Sequence, residues 1–419
     1  MSLYDKASIA LIPSGTKASK LYSVLPANGN GDFTHTRGST ATRVNKDGLI
    51  ESSATNVPRL DYPITSGVVG DCPNLLLEPS RTNLSEYSES FDNWSNGSSL
   101  VTANQAVSPD GAFTADKHSK TSSFSAITET VTGTSGNNYV FSVFVKADTG
   151  TNITLRQASG SNDVRRFFQL SDETSGSSGG NQTGFVSEKI QKYPNGWYRV
   201  SIVCTADGTS ISTNIYAGRA GSTTYDGNIF IWGSQVEEAV YETSYIPNLS
   251  TGSTTRSADE CNSSGTSADI NSEEGVLFAE IAALSNANLI HRRITLSDGT
   301  TSNVVRIAYD TGSQRISLIL NNGSNQCVFQ ATSSNSAITD VLDFNKVALS
   351  YKENEFKCFI NGTQFSSTDT SGTTFSAGTL TELAFDSGGG SNDFLGKVKQ
   401  VVVFNEALSD SELVTLTTQ

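Results

Sequence analysis

The sequence predicts an all-β protein: tandem β-sandwiches that follow an extended N-terminal region. Three observations predict it. Apolar and polar residues alternate in strand-length runs, as in Asn138–Lys146, where Tyr139, Phe141, Val143 and Val145 share one face. Clusters of Gly, Ser, Asn and Asp separate these runs, notably over residues 175–181. No helical periodicity of comparable length interrupts them. Hydrophobic residues make up 36% of the 419, which is low for a compact enzyme and suits many short strands and turns.

Residues 1–82 are rich in turn signals, among them Pro13-Ser14-Gly15, residues 28–32 (NGNGD) and Lys46-Asp47-Gly48. The apolar segments between them, such as Ile9–Ile12 and Gly48–Ile50, are too short for a separate core. This region is expected to gain stability by packing on other chains. Arg37, Arg43 and Arg59 stand in a Thr/Ser-rich strand context, where arginines can pair with carboxylates across a subunit boundary. The competing reading has them solvated or satisfied within the chain.

Residues 83–249 contain three strong strand patterns: Asn138–Lys146, Gly196–Cys204 and Ile229–Trp232, the last apolar on both faces. Two sheets packed face to face bury such strands most simply. Residues 250–274 are polar and read as a linker or a crossing strand. Residues 275–419 carry another series of strands, including Val276–Ile281, Asn303–Tyr309, Arg315–Leu320, Asn345–Tyr351, Phe356–Ile360 and Gly396–Phe404. A short helix is expected after the last strand, with Ser409 as N-cap and Glu412 at the capping-box position.

The order of motifs in the second region is SPDGAFTADK (Ser108–Lys117), YVFSVFVK (Tyr139–Lys146), GWYRVS (Gly196–Ser201) and IFIWGSQVE (Ile229–Glu237). This order resembles the carbohydrate-binding jelly rolls attached to glycan-degrading enzymes. The third region carries KVALSY (Lys346–Tyr351), an Asn361-Gly362 turn and the ending GKVKQVVVFNEALSDSEL (Gly396–Leu413). It resembles the concanavalin A-like, laminin-G-type sandwich. The segments FTHTRGSTATRVNKDGLIE (Phe33–Glu51), NVPRLDY (Asn56–Tyr62) and CPNLLLEPSRTNLSEYSESFDNW (Cys72–Trp94) resemble phage virion proteins of tail-fibre type that carry lectin-like modules. The resemblances imply a jelly roll followed by a concanavalin-like domain, with residues 1–82 attaching to other virion proteins.

Loop aromatics stack on sugar rings while nearby amides and carboxylates take the hydroxyls. Trp94, Tyr193, Tyr216 and Tyr225 are the aromatic candidates of the second region. Trp197 and Trp232 lie inside strand patterns and read as core. In the third region, loop 387–393 (SGGGSND) offers Asn392 and Asp393, or is simply a flexible turn. Both sandwich types often hold one calcium ion, and Glu89, Asp92 and Glu237 occupy the comparable places. No contiguous calcium loop is present, and ordinary surface carboxylates are the alternative.

Catalytic chemistry has little foothold. The three histidines, His35, His118 and His291, fall in different regions, and no GxSxG, HExxH or P-loop pattern occurs. Glu353 and Glu355 flank a tight turn and do not form the paired-carboxylate strand of a glycosidase. The five cysteines are widely spaced and form no CxxC pair. The formal net charge of −14 disfavours nucleic acid. No apolar run is long enough for a membrane helix, and the opening MSLYDKASIALIPSG does not read as a secretory leader.

The expectation is a non-enzymatic phage virion component, made in the host bacterial cytoplasm. It would be a homo-oligomer, with a trimer as the guess, and would bind host surface glycans. An architectural head-decoration or head-fibre protein without a ligand is the alternative, and a polysaccharide depolymerase the weaker one.

Overall fold

The computed structural model describes residues 3–122, 124–221, 227–286, 292–310 and 315–418. Strands account for 50% of the chain and helices for 5%, so the architecture is all-β. It consists of a jelly-roll sandwich and a concanavalin-like sandwich in tandem.

The jelly roll is contiguous in sequence. Its six-stranded sheet runs in the order Val101–Ala106, Ala115–His118, Ile229–Glu238, Asn138–Ala147, Trp197–Thr205, Phe185–Lys192. Its five-stranded sheet runs Ala126–Thr132, Ser210–Ala217, Asn152–Ser159, Asn162–Gln169, Thr174–Gly180. All of these pairings are antiparallel. The core between the sheets takes Tyr139, Phe141, Val143 and Val145 from one central strand and Ile153 and Leu155 from the facing sheet. The alternation read from the sequence therefore marks the buried face. Trp197 and Trp232 are buried at 2% and 1% exposure, in a smaller cluster on the other side of the six-stranded sheet with Phe144 and Tyr245.

The second sandwich is assembled from distant parts of the chain. Its five-stranded sheet runs Asn325–Thr332, Arg315–Asn322, Asn303–Tyr309, Arg292–Ser297, Glu382–Ala384. The larger sheet centres on Glu274–Ala283 and Gly396–Phe404, flanked on one side by Asn345–Lys352, Glu355–Ile360 and Thr363–Asp369. On its other side the sheet is completed by the N-terminal region. Ala7–Leu11 pairs with Phe404–Val401, Asn74–Leu77 pairs with Val398–Gly396, and Arg59–Asp61 follows outside Asn74–Leu77. Ile9, Leu11, Leu21, Phe33, Leu75 and Leu77 lie in the same core as Leu277, Ile307 and Val403.

The expectation that residues 1–82 pack on other chains is corrected accordingly. They have no separate core, as expected, but the apolar surface they complete belongs to their own C-terminal sandwich. Segment 250–274 is likewise more than a linker. Thr254–Arg256 pairs with Arg81–Asn83, and Glu260–Asn262 pairs with Phe33–Thr36.

The expected helix forms at Asp410–Thr417. Ser409 accepts from the Glu412 amide, and the Glu412 side chain accepts from the Ser409 amide, which satisfies two otherwise orphaned donors.

Candidate functional site: a groove between the sandwiches

The N-terminal region is fastened to the jelly roll and to segment 250–274 by a buried charge cluster. Arg59 Nη1 lies 2.6 Å from Glu78 Oε2, and its Nη2 donates to Asp259. Arg37 Nη1 lies 3.0 Å from Asp259 Oδ1, and Arg256 Nη1 lies 2.8 Å from Glu78 Oε2. The Ser244 amide, from the jelly roll, donates to Glu78 Oε1 at 2.8 Å. Burial alone would raise the Glu78 carboxyl, but Arg256 and Arg59 outweigh it and bring it down to about 2. Asp259 is held far below the usual carboxylate range, because Arg59 and Arg37 override its burial.

Arg37 and Arg59, read as attachment residues, are 1% and 0% exposed and are satisfied inside the chain. That placement leaves neither guanidinium at a subunit boundary. Arg43 is half-buried, donating to the Leu60 carbonyl at 2.7 Å and lying 3.3 Å from Glu51.

Beside this cluster a groove of about 310 Å³ opens between the N-terminal region, the jelly roll and the second sandwich. Asp61 ends the strand Arg59–Asp61 and enters one wall. Its Oδ1 accepts from the Val44 amide at 2.8 Å, while its other oxygen has no hydrogen bond to a described residue. Burial raises its carboxyl, and Lys397 opposes that rise. Lys397 itself, from the strand Gly396–Phe404, has no ion pair among the described residues.

Tyr62 and Tyr193 contribute rings to the groove. Tyr193 precedes the turn Pro194–Gly196, in which Asn195 takes φ 58° and Gly196 φ 78°. It packs edge-on against Phe144, with centroids 5.1 Å apart. Burial pushes its hydroxyl up to about 12. The turn is held against the N-terminal region by a close approach at Gly48 (φ +78°), where a Cβ would stand 2.6 Å from Pro194 Cγ.

The far wall is largely engaged, although Arg199 Nε and the Tyr241 hydroxyl are buried there without a hydrogen bond to a described residue. Arg199 donates to the Thr243 carbonyl at 2.7 Å and to Ser142 Oγ at 3.0 Å. Glu242 accepts from Lys189 at 2.7 Å and from Ser201 at 3.2 Å. The groups of the groove without a partner among the described residues thus include a carboxylate oxygen and an ammonium, next to two tyrosine rings.

The other residues singled out from the sequence fall elsewhere. Trp94 is 5% exposed and packs edge-on to Phe91 in the jelly-roll core, its Nε1 donating to the Glu86 carbonyl at 3.1 Å. Tyr216 is 7% exposed on the outer face of the five-stranded jelly-roll sheet, across from Thr154. Neither can lay a ring face on a sugar. Tyr225 lies outside the described residues. Asn392, exposed and at φ 59°, and Asp393, half-buried, sit on a loop that covers one sheet of the second sandwich.

The calcium candidates do not converge. Glu237 directs both oxygens at Thr243 in the interior. Glu89 accepts from the Tyr245 hydroxyl at 3.0 Å, and burial raises it to about 6. Asp92 lies exposed on a short 3₁₀ turn, Phe91–Asn93. Among the described residues no group of three or more His, Cys, Asp or Glu could hold a metal ion, so these three do not fit a shared calcium.

Of the residues singled out from the sequence, the glycan candidate Tyr193 and the attachment candidate Arg43 line this groove, while Asp61 and Lys397 were not singled out. Asp61 stands two residues after Arg59 in NVPRLDY, a motif valued there only for its arginine. Lys397 was visible as the polar phase of an alternating strand, but not as a groove residue.

The fold is that of a tandem β-sandwich protein with a concanavalin-like second domain. Residues 282–414 match the family model described as the concanavalin A-like lectin/glucanases superfamily. Among curated proteins none matches the chain. Similar solved structures include the CBM40 module of the Ruminococcus gnavus IT-sialidase bound to α2,3-sialyllactose, at 19% identity and TM-score 0.29, covering 35% of this chain and 83% of that one. Domain 4 of the arabinanase AbnA from Geobacillus stearothermophilus, in complex with arabinotriose, shows 11% identity and TM-score 0.26, covering 42% and 82%. The NanB sialidase of Streptococcus pneumoniae shows 17% identity and TM-score 0.29, covering 36% and 25%.

Proposed function

We propose that this chain is a glycan-binding protein and that the groove between its sandwiches holds the sugar. The observation that carries the reading is the pairing of unengaged groups with rings. An Asp61 oxygen and the Lys397 ammonium are open to hydroxyls, beside Tyr62 and Tyr193. A sugar offers hydroxyls around its edge and apolar C–H faces, which matches such a lining. The match of residues 282–414 to a superfamily of lectins and glucanases supports a carbohydrate ligand.

The finer reading is that the chain serves on a phage particle as a fibre, spike or other appendage component touching host surface glycans. It rests on the N-terminal sequence motifs. Several copies, a trimer in our reading, would convert weak sugar contacts into avidity. An architectural role without a ligand is the second reading, favoured by the buried charge cluster that locks residues 1–82 to the jelly roll and to segment 250–274.

The test is a glycan-array screen of the purified chain, with and without chelator, together with its mass in solution. Glycan binding that weakens about tenfold in Asp61→Asn and Tyr193→Ala is the expected result. A well-folded protein that binds no glycan would sink the glycan reading and favour the architectural one.

A further inference from the structure

The second sandwich carries, on its five-stranded sheet, two arginines whose side chains have no ion pair to a described residue. In this sheet Ile294, Leu296, Val305, Ile307, Ile316 and Leu318 point into the core. Strand alternation therefore sends Arg293, Thr295, Arg306, Ala308 and Ser317 to the outer face. Arg306 lies directly across from Thr295, and Arg293 across from Ala308, which places the two guanidiniums as diagonal neighbours.

The floor around them is closed to water: Thr295 and Ser317 are 0% exposed and Ala308 3%. Loop 386–394 supplies part of the cover. Thr295 Oγ1 donates to the Asp386 carbonyl at 3.2 Å, and a Cβ on Gly388 would stand 2.8 Å from Ser297 Cβ. Neither arginine side chain has a hydrogen bond or an ion pair to a described residue, and the Nε atom of each is buried without a partner.

The carboxylates nearby answer the pair only in part. Asp310 attracts both guanidiniums and opposes their fall, but it is in ion-pair contact with neither and accepts from Ser317 Oγ at 3.0 Å. Asp393, whose backbone bridges to Arg293, is raised to about 6 by burial and by the like charges of Glu260 and Asp386. Burial and the charge of Arg293 bring Arg306 down to about 10, against the pull of Asp310. Two cations held together, partly desolvated and without a carboxylate in ion-pair contact cost stability in the free protein. On a chain of net charge −14 such a local positive site is set against the general field.

We propose that Arg293 and Arg306 form the anion-binding centre of a second ligand site, which takes glycans bearing carboxylate or sulfate groups. Guanidinium forks bind both groups through paired N–H donors, and Asn392 on the covering loop stands exposed beside the site. This site is separate from the groove and does not depend on it.

The experiment is calorimetric titration of the whole chain with trigalacturonate, its neutral methyl ester, and a sulfated galactan oligosaccharide. Binding of at least one anionic probe and not of the ester is expected, weakening with added salt. The carboxylate and sulfate arms then distinguish the two ligand sources. Arg306→Gln and Arg293→Gln should each weaken binding about tenfold or more, with a melting temperature no lower than that of the parent. No binding of either anion, or binding unchanged in both variants, would overturn the proposal. So would loss in Asp61→Asn with Arg306→Gln unaffected, since the anion would then sit in the groove. If a variant does not fold, phenylglyoxal modification of the parent chain decides. Ligand should protect the peptides containing Arg293 and Arg306, and unprotected arginines would reject the site.

Discussion

At the residue scale, the charge cluster around Arg59 is the feature most sensitive to single changes. Removing one partner of a buried ion pair strands the other in a poor dielectric. Arg59→Met leaves Glu78 and Asp259 each short of a cation, and should destabilise the fold by about 3–5 kcal/mol in urea denaturation. The cluster also fixes the acid side of the stability profile. Glu78 and Asp259 are depressed below their unfolded values of 4.5 and 3.8, so they stabilise above those values and lose that contribution as pH falls through the acid range. Glu129, Asp116 and Glu89 act in the opposite sense. Burial raises them to about 7, 6 and 6, so their contribution is complete below their unfolded values and is lost as pH rises through 6 to 7. Denaturation measured across pH should therefore show a maximum near about pH 5, falling on both sides. A flat profile from there to neutrality would contradict the raised carboxyls.

At the element scale, the strand Ala7–Leu11 separates an attachment arm from a structural edge. Ile9 and Leu11 are both fully buried, and each contributes on the order of 1.5–3 kcal/mol. Deleting residues 1–12 should lower the unfolding free energy by several kcal/mol and expose the edge of Gly396–Phe404 to intermolecular pairing, visible as aggregation in light scattering. A free arm would leave both measurements unchanged. The helix Asp410–Thr417 offers a milder check, since Ser409→Ala removes the capping hydroxyl at a cost of about 1 kcal/mol.

Elements like these show what the sequence makes legible. Ser409 and Glu412 announced the cap, and the alternation over Asn138–Lys146 announced the buried face, because both signals are local. The strand role of Ala7–Leu11 was hidden, since its partner lies at the other end of the chain. Asp61 and Lys397 meet only when that long-range pairing forms, so no local pattern links them. Trp94 misled for a related reason: a turn-rich neighbourhood says nothing of what packs above it.

At the scale of the whole molecule, the two sandwiches differ in autonomy. Every buried residue of the jelly-roll core falls between Phe91 and Val236, within one contiguous stretch. The core of the second sandwich takes Ile9, Leu21, Phe33, Leu75, Cys261 and Ile270 from outside residues 275–419. A fragment spanning residues 83–249 should therefore be soluble and unfold cooperatively, whereas 275–419 alone should be insoluble or molten. Circular dichroism and calorimetry of the two fragments would check this, and a stable 275–419 fragment would contradict the shared core.

The edge strand at Ala7–Leu11 also sets a timetable. Ser8 meets Val403, which lies 395 positions further along the chain. On a ribosome the jelly roll can close while translation is still under way, because all its strands have emerged together. The strand Ala7–Leu11 has no such option. Its apolar residues must wait, unpaired, until Val401–Phe404 have been synthesised, and the ordering cost of so long a closure delays the second sandwich further. The newborn chain thus carries an exposed, pairing-competent segment until that strand emerges, and that interval is when a chaperone or a sister chain has its best opportunity to engage it.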